Sequence, residues 1–279
     1  MKAQKECFLC LKNLINQAVC LATTHPKTKL QVKEQALKIL NEHFSTNIIP
    51  TEISNRVHRL IKEITKNPDP YRERKDKEIN LSKRLCKELS EKYSSDFRSS
   101  VMLSALGNGI DFFRDLNELK DDVKKNPKFA IDDIDKVEKV LKRINKVLYL
   151  ADNAGECFFD LPLVKKIREK CNLIYVTKGS PIQNDLTIED LKKAGIANQF
   201  GKTMTIGADT VGLDLSIISK EFEKELEVSD LIIAKGMGYY ETLSELPRSG
   251  KIFHILKAKC IPIAMSLGVP LGSYIAMVR

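Results

Sequence analysis

From residue 146 onward the chain alternates short β-forming runs with helical stretches, and no other feature restricts its fold as much. That alternation is the signature of a parallel sheet with crossover helices. Strands are expected at Val147–Ala151, Leu173–Thr177, Thr203–Ile206, Leu231–Ala234 and Ile261–Met265, while the run Ile252–Leu256 fits either a strand or a helix. Helices are expected over roughly 160–170, 187–195, 214–226 and 239–245. Residues 1 to about 100 show only helical spacing, as in Leu11, Leu14, Ile15 and Ala18 or Val57, Leu60, Ile61 and Ile64. Asn67-Pro68-Asp69-Pro70 interrupts that series with two prolines and marks a connection. The expected architecture is therefore an α/β protein, with a helical N-terminal subdomain over 1–100 and a mostly parallel sheet in an α/β/α sandwich over 101–279.

Each expected strand runs out into polar and glycine residues. After the first comes Asp152-Asn153-Ala154-Gly155-Glu156, and after the second Lys178-Gly179-Ser180 with Asn184-Asp185-Leu186-Thr187. The third gives Gly207-Ala208-Asp209-Thr210, and the fourth Lys235-Gly236-Met237-Gly238. Parallel strands place these exits on one rim, which is where open α/β sheets bind ligands. Asp152, Asn153 and Asp185 offer oxygen ligands without thiolate or imidazole, a set suited to Mg²⁺ or Mn²⁺ more than zinc. The plainer alternatives are that Asp185 caps the helix near Thr187 and that Asn153 shapes a turn. The glycines beside Lys235 leave room for a phosphate, although neither a GK[ST] phosphate loop nor a strand-linked GxGxxG is present. Gly107-Asn108-Gly109-Ile110-Asp111 reads equally as a close approach and as a helix boundary with Asp111 near a cap.

Composition narrows the classes further. The net charge of +9 comes from acids and bases that are interspersed, with no nucleic-acid motif beside them, so nucleic acid is not an expected partner and a small anionic substrate is. No apolar run approaches the length of a membrane span, and seven scattered cysteines fit reduced thiols, so a cytoplasmic protein is expected. Cys7 and Cys10 form a lone CxxC, read as two cysteines packed on an apolar helix face. The oligomeric state is not legible.

These motifs together resemble the damage-control phosphatases, the family long labelled domain of unknown function 89. The likeness rests on Asp-Asn-Ala-Gly-Glu at 152–156, Lys-Gly-Ser-Pro with Asn-Asp-Leu-Thr within 178–187, Gly-x-Asp-Thr-x-Gly-Leu-Asp at 207–214 and Lys-Gly-Met-Gly at 235–238. Asn67 to Tyr71, Gly107-Asn108 with Asp111, and Cys7 with Cys10 extend it over nearly the whole chain. The resemblance implies hydrolysis of small phosphometabolites such as sugar phosphates, with a divalent ion (Mn²⁺, Mg²⁺, Co²⁺ or Ni²⁺) on Asp152, Asn153 and Asp185. It implies Lys235 as the phosphate-contacting lysine, with Asn108, Asp111, Ser180 and Gly236 on the substrate side. Glu156 or Asp209 would orient a water or protonate the leaving group, and attack by water and by a carboxylate both stay open. The family commonly has Asn after Lys-Gly-x-Gly; this chain has Tyr239, which removes an amide from that position. Two other classes share the rim chemistry: a phosphate- or nucleotide-binding transferase, and a non-catalytic metal-binding protein.

Overall fold

The computed structural model describes residues 1–93, 95–109 and 127–279. Five helices come first: α1 (Lys5–Ala22), α2 (Pro26–His43), α3 (Pro50–Thr65), α4 (Arg72–Tyr93) and α5 (Phe97–Gly109). The sheet follows with β1 (Phe129–Asp132), α6 (Ile134–Val140), β2 (Lys146–Leu150), α7 (Cys157–Arg168), β3 (Asn172–Thr177), α8 (Ile188–Lys193) and β4 (Lys202–Thr205). It is completed by α9 (Lys220–Val228), β5 (Leu231–Lys235), α10 (Gly236–Leu243), β6 (Ile252–Lys257), α11 (Ile261–Leu267) and β7 (Tyr274–Val278).

The seven strands form one sheet in the order β1-β7-β6-β5-β2-β3-β4. Every pairing is parallel except β6 with β7, so the expected mostly parallel α/β sheet is what forms. Strand residues alternate between two apolar layers, as period-two side chains must. Val147 and Tyr149 join α4, α5 and α7 on one face, while Leu148 and Leu150 meet Phe222 of α9 and Tyr239 of α10 on the other. Burial on both faces is why β2 and β5 read as unbroken apolar runs. A third core holds α1 to α3, from Leu11 to Tyr71. The apolar layers therefore divide near Tyr71 and not near residue 100, because Ile79, Leu85 and Phe97 of α4 and α5 pack with the sheet.

Two expectations need correcting. Ile261–Met265 is not a strand: Pro262 sits in the first turn of α11 and Gly268 closes it in the left-handed region at φ 67°. Strands come instead from the C-terminal run Tyr274–Val278, antiparallel to β6, and from the short Phe129–Asp132. The helix expected from 214 begins only at Lys220, with Ser219 as its N-cap. Among the described residues no helix is long and apolar enough to cross a membrane.

Candidate active site

The chain runs β2, β3, β4 towards one edge and then returns to place β5 on the other side of β2. The rim between β2 and β5 is thus a topological switch point, the place where such sheets open a crevice. Asp152 and Asn153 leave β2 there, Lys235 ends β5, and a bridge between Asn153 and Asp185 brings in the loop after β3. Thr187 caps α8 through its hydroxyl, with Asp190 returning the contact, so Asp185 is not spent as a cap. Two glycines make the packing possible. A Cβ on Gly236, at φ +80°, would stand 1.8 Å from Asp152 Oδ2, and one on Gly107 would stand 2.7 Å from Phe159 Cβ. Gly107 is therefore a close approach: it seats the end of α5 on α7 and delivers Asn108 to the rim.

Asn108 Nδ2 donates to Asp152 Oδ2 (3.1 Å) and Glu156 Oε1 (2.8 Å), and its carbonyl accepts from the Lys257 amide at 3.1 Å. Asn153 Nδ2 donates to the same two carboxylates, at 3.0 and 2.7 Å. Both amides thus fix the acids in place. Burial, with Glu156 and Asp185 alongside, holds the Asp152 carboxyl well above its ordinary range. Burial likewise raises Asp185 to about 6 although the Lys178 ammonium opposes it. Glu156 is buried too, yet Lys235 and Lys259 keep it below its ordinary value.

Lys235 is wholly buried and spends its ammonium on the Ser104 carbonyl (3.0 Å), Glu156 Oε2 (2.8 Å) and Asp160 Oδ1 (2.8 Å). The expected phosphate contact is therefore not where the ammonium is placed; Lys235 neutralises two carboxylates behind the rim. Lys178, also buried, donates to the Gly212 carbonyl at 3.0 Å and lies 4.0 Å from the centre of the Tyr239 ring.

A cleft of about 410 Å³ opens above these groups. Asp152, Asn153, Asn184, Asp185, Arg74 and Lys259 line its polar end, while α1, α3 and α11 supply Leu11, Leu14, Pro50 and Pro262 elsewhere. Cys7, Cys10 and Cys260 lie on this wall, with Cys7 buried as expected on its helix face and Cys10 exposed. Asp209 stands apart: Lys62 Nζ (2.6 Å) and Arg59 Nε (3.0 Å) bind it, which ties α3 to the loop after β4. Asp209 and the exposed Ser180 do not line the cleft, and Asp111 lies outside the described residues.

The donor set fits a hard divalent cation. Asp185 Oδ2 is buried with an ion pair to the Lys178 ammonium at 3.4 Å but no hydrogen bond, and Asp152 and Glu156 crowd their charges beside it. Among the described residues no three His, Cys, Asp or Glu side chains are spaced to hold an ion by themselves. Sequence reasoning missed Asp160, Arg74, Glu78 and Lys259. Arg74 and Glu78 carried a readable signal, because they form an i, i+4 ion pair on one helix.

The pattern defining the damage-control phosphatase ARMT1-like domain matches residues 3–275. The chain belongs to this family. The damage-control phosphatase PH1575 of Pyrococcus horikoshii is 36% identical over 283 residues, covering 99% of this chain and 98% of its own. A damage-control phosphatase of Archaeoglobus fulgidus is 34% identical over 293 residues, covering 100% and 99%. The crystal structure of the Pyrococcus horikoshii protein, a member of the same DUF89 family, superimposes with a TM-score of 0.91 at 35% identity over 100% of this chain and 99% of that one. The shared fold places the switch-point rim of this family member within an architecture common to its relatives.

Proposed function

We propose that this damage-control phosphatase family member hydrolyses small phosphate monoesters of metabolites, sugar phosphates included, with a bound divalent ion. Family membership supports the phosphatase reading, and one observation carries the metal dependence. Asp152, Glu156 and Asp185 are buried together at the rim; Lys235 pairs with Glu156 and Lys178 lies 3.4 Å from Asp185, while Asp152 meets the Asn108 and Asn153 amides and is pushed far up. A buried carboxylate held as Asp152 is, beside two other acids, is costly without a further cation to balance it. Asp152, Asn153 and Asp185 would hold the ion, Mn²⁺, Mg²⁺, Co²⁺ or Ni²⁺, and when bound it would polarise a phosphoryl oxygen.

The remaining roles fall to this chain's own side chains. Asn108 and Glu156 lock Asp152 and Asn153 in one orientation. Lys259 is the cation that meets the phosphoryl group: it is half-buried, lines the cleft, and its charge acts on both Asp152 and Glu156. Lys235 serves the reaction indirectly by keeping Glu156 ionised. The test is a screen of chelator-treated protein with p-nitrophenyl phosphate and a sugar-phosphate panel, with each of the four metals restored in turn. Hydrolysis dependent on added metal is expected; no turnover with any metal would leave a binding protein.

A further inference from the structure

The motif residues that gather around the acids come from the sheet rim and α5, yet one strong cation in the cleft comes from α4. Arg74 is only 17% exposed and lines the cleft beside Asp152, Asn153 and Asp185. Its Nε donates to Glu78 Oε1 at 2.9 Å. Glu78 is fully buried and spends its second oxygen on Asn184 Nδ2, also at 2.9 Å. Asn184 precedes Asp185, and its carbonyl accepts from the Ala154 amide at 2.8 Å, next to Asn153. The carboxylate of Glu78 therefore joins α4 to both loops that carry the oxygen ligands.

The start of α4 is anchored independently. Lys75 is wholly buried and meets Asp69 and Asp190, each at 2.9 Å, and Arg72 adds a contact to Asp190 at 3.2 Å. Arg74 is thus carried on a fixed helical turn. An ordinary i, i+4 pair on a helix surface is worth a few tenths of a kcal/mol and needs no buried acid. Here the acid is sealed from water and shared with the metal loop, which is a costly arrangement for anchoring alone. A guanidinium held at its Nε side keeps a fixed plane, and such a plane suits two-point contact with phosphate oxygens in a way an ammonium does not.

We propose that Arg74 is a substrate-binding residue that contacts the phosphoryl oxygens of the phosphomonoester, and that Glu78 is its positioning residue. This rests on the phosphatase reading above. It makes α4 part of the anion site.

The experiment compares Arg74→Ala, Arg74→Lys and Glu78→Gln in the full chain with Mn²⁺. The readouts are KM and kcat for p-nitrophenyl phosphate, inhibition by inorganic phosphate, phosphate and Mn²⁺ binding by calorimetry, and thermal stability. Arg74→Ala is expected to raise KM and weaken phosphate binding tenfold or more, with Mn²⁺ affinity held within about twofold. Arg74→Lys should recover part of the loss, and Glu78→Gln should show a smaller weakening of the same kind. Unchanged phosphate affinity in folded Arg74→Ala would overturn the proposal, as would losses that track stability or Mn²⁺ affinity instead. Should Arg74→Ala not fold, Arg74→Lys decides: phosphate affinity equal to wild type overturns the role. If the wild-type protein hydrolyses nothing, the functional reading fails by itself, and phosphate titration of the Mn²⁺-loaded proteins still decides the place of Arg74.

Discussion

Lys235 ends one strand and Lys259 follows another, yet the structure gives them opposite surroundings. Lys235 is enclosed by Glu156, Asp160 and the Ser104 carbonyl, so Lys235→Met leaves two buried carboxylates unbalanced. Breaking a buried pair of this kind costs about 3–5 kcal/mol, so that variant should lose stability as well as activity in urea unfolding. Lys259→Gln should keep its stability and lose about ten- to a hundredfold in kcat/KM. Equal melting of both variants would refute this division of labour. Asp152→Ala and Asp185→Ala should each abolish metal-dependent hydrolysis with the circular dichroism unchanged; retained Mn²⁺ affinity by calorimetry would remove that residue from the ligand set. A fourth expectation concerns Glu241, which lines the cleft and which burial raises to about 7 against the pull of the nearby Met1 amine. The folded state then holds a proton that the unfolded chain releases between pH about 4.5 and 7, so the cost of this acid grows through that window and is complete above it. Glu241→Gln should therefore stabilise the protein at pH 8 by about 1–3 kcal/mol and leave it unchanged near pH 4.5. At this scale the sequence showed which rim residues are polar, since Asp152, Asn153, Asp185 and Asn108 stand together. It could not show that Asp209 is taken by Arg59 and Lys62, because those partners lie far away along the chain.

The junction of β5 and α10 has almost no slack. Its Gly236 combines a left-handed φ of +80° with direct contact to Asp152, so Gly236→Ala should displace that carboxylate. Weaker Mn²⁺ binding together with lower stability is expected, and a variant that binds Mn²⁺ like the wild type would show that the loop can yield. Elements whose pattern is strong were legible: β2, β3 and β5 are apolar runs buried on both faces, and the strand-to-loop exits follow from them. Ile261–Met265 misled because a short apolar run fits strand or helix, and Pro262 decides for the helix only once the first turn is known. Phe129–Asp132 is four residues long on an edge, too short to stand out from its helical surroundings.

Over the whole molecule the N-terminal helices look separate by pattern and are not separate in contact. Gln183 donates to Ser54, Lys62 to the Pro181 carbonyl, and Asn55 pairs with Val211, so α3 is laid along the rim loops by polar bonds. The divide near Tyr71 was illegible because α4 carries the same helical spacing whether it packs on helices or on a sheet. The wall made by α1 and α3 has a kinetic meaning. Its polar partners are more than a hundred residues away in sequence, so this docking is expected to form late and to open before the apolar layers do. In a urea titration, turnover should therefore disappear at a lower concentration than the far-ultraviolet signal of the sheet and helices. Coincident transitions would mean that the rim and its helical wall unfold as one unit. With turnover lost first, the protein is switched off, reversibly, by a partial opening that leaves its hydrophobic layers folded.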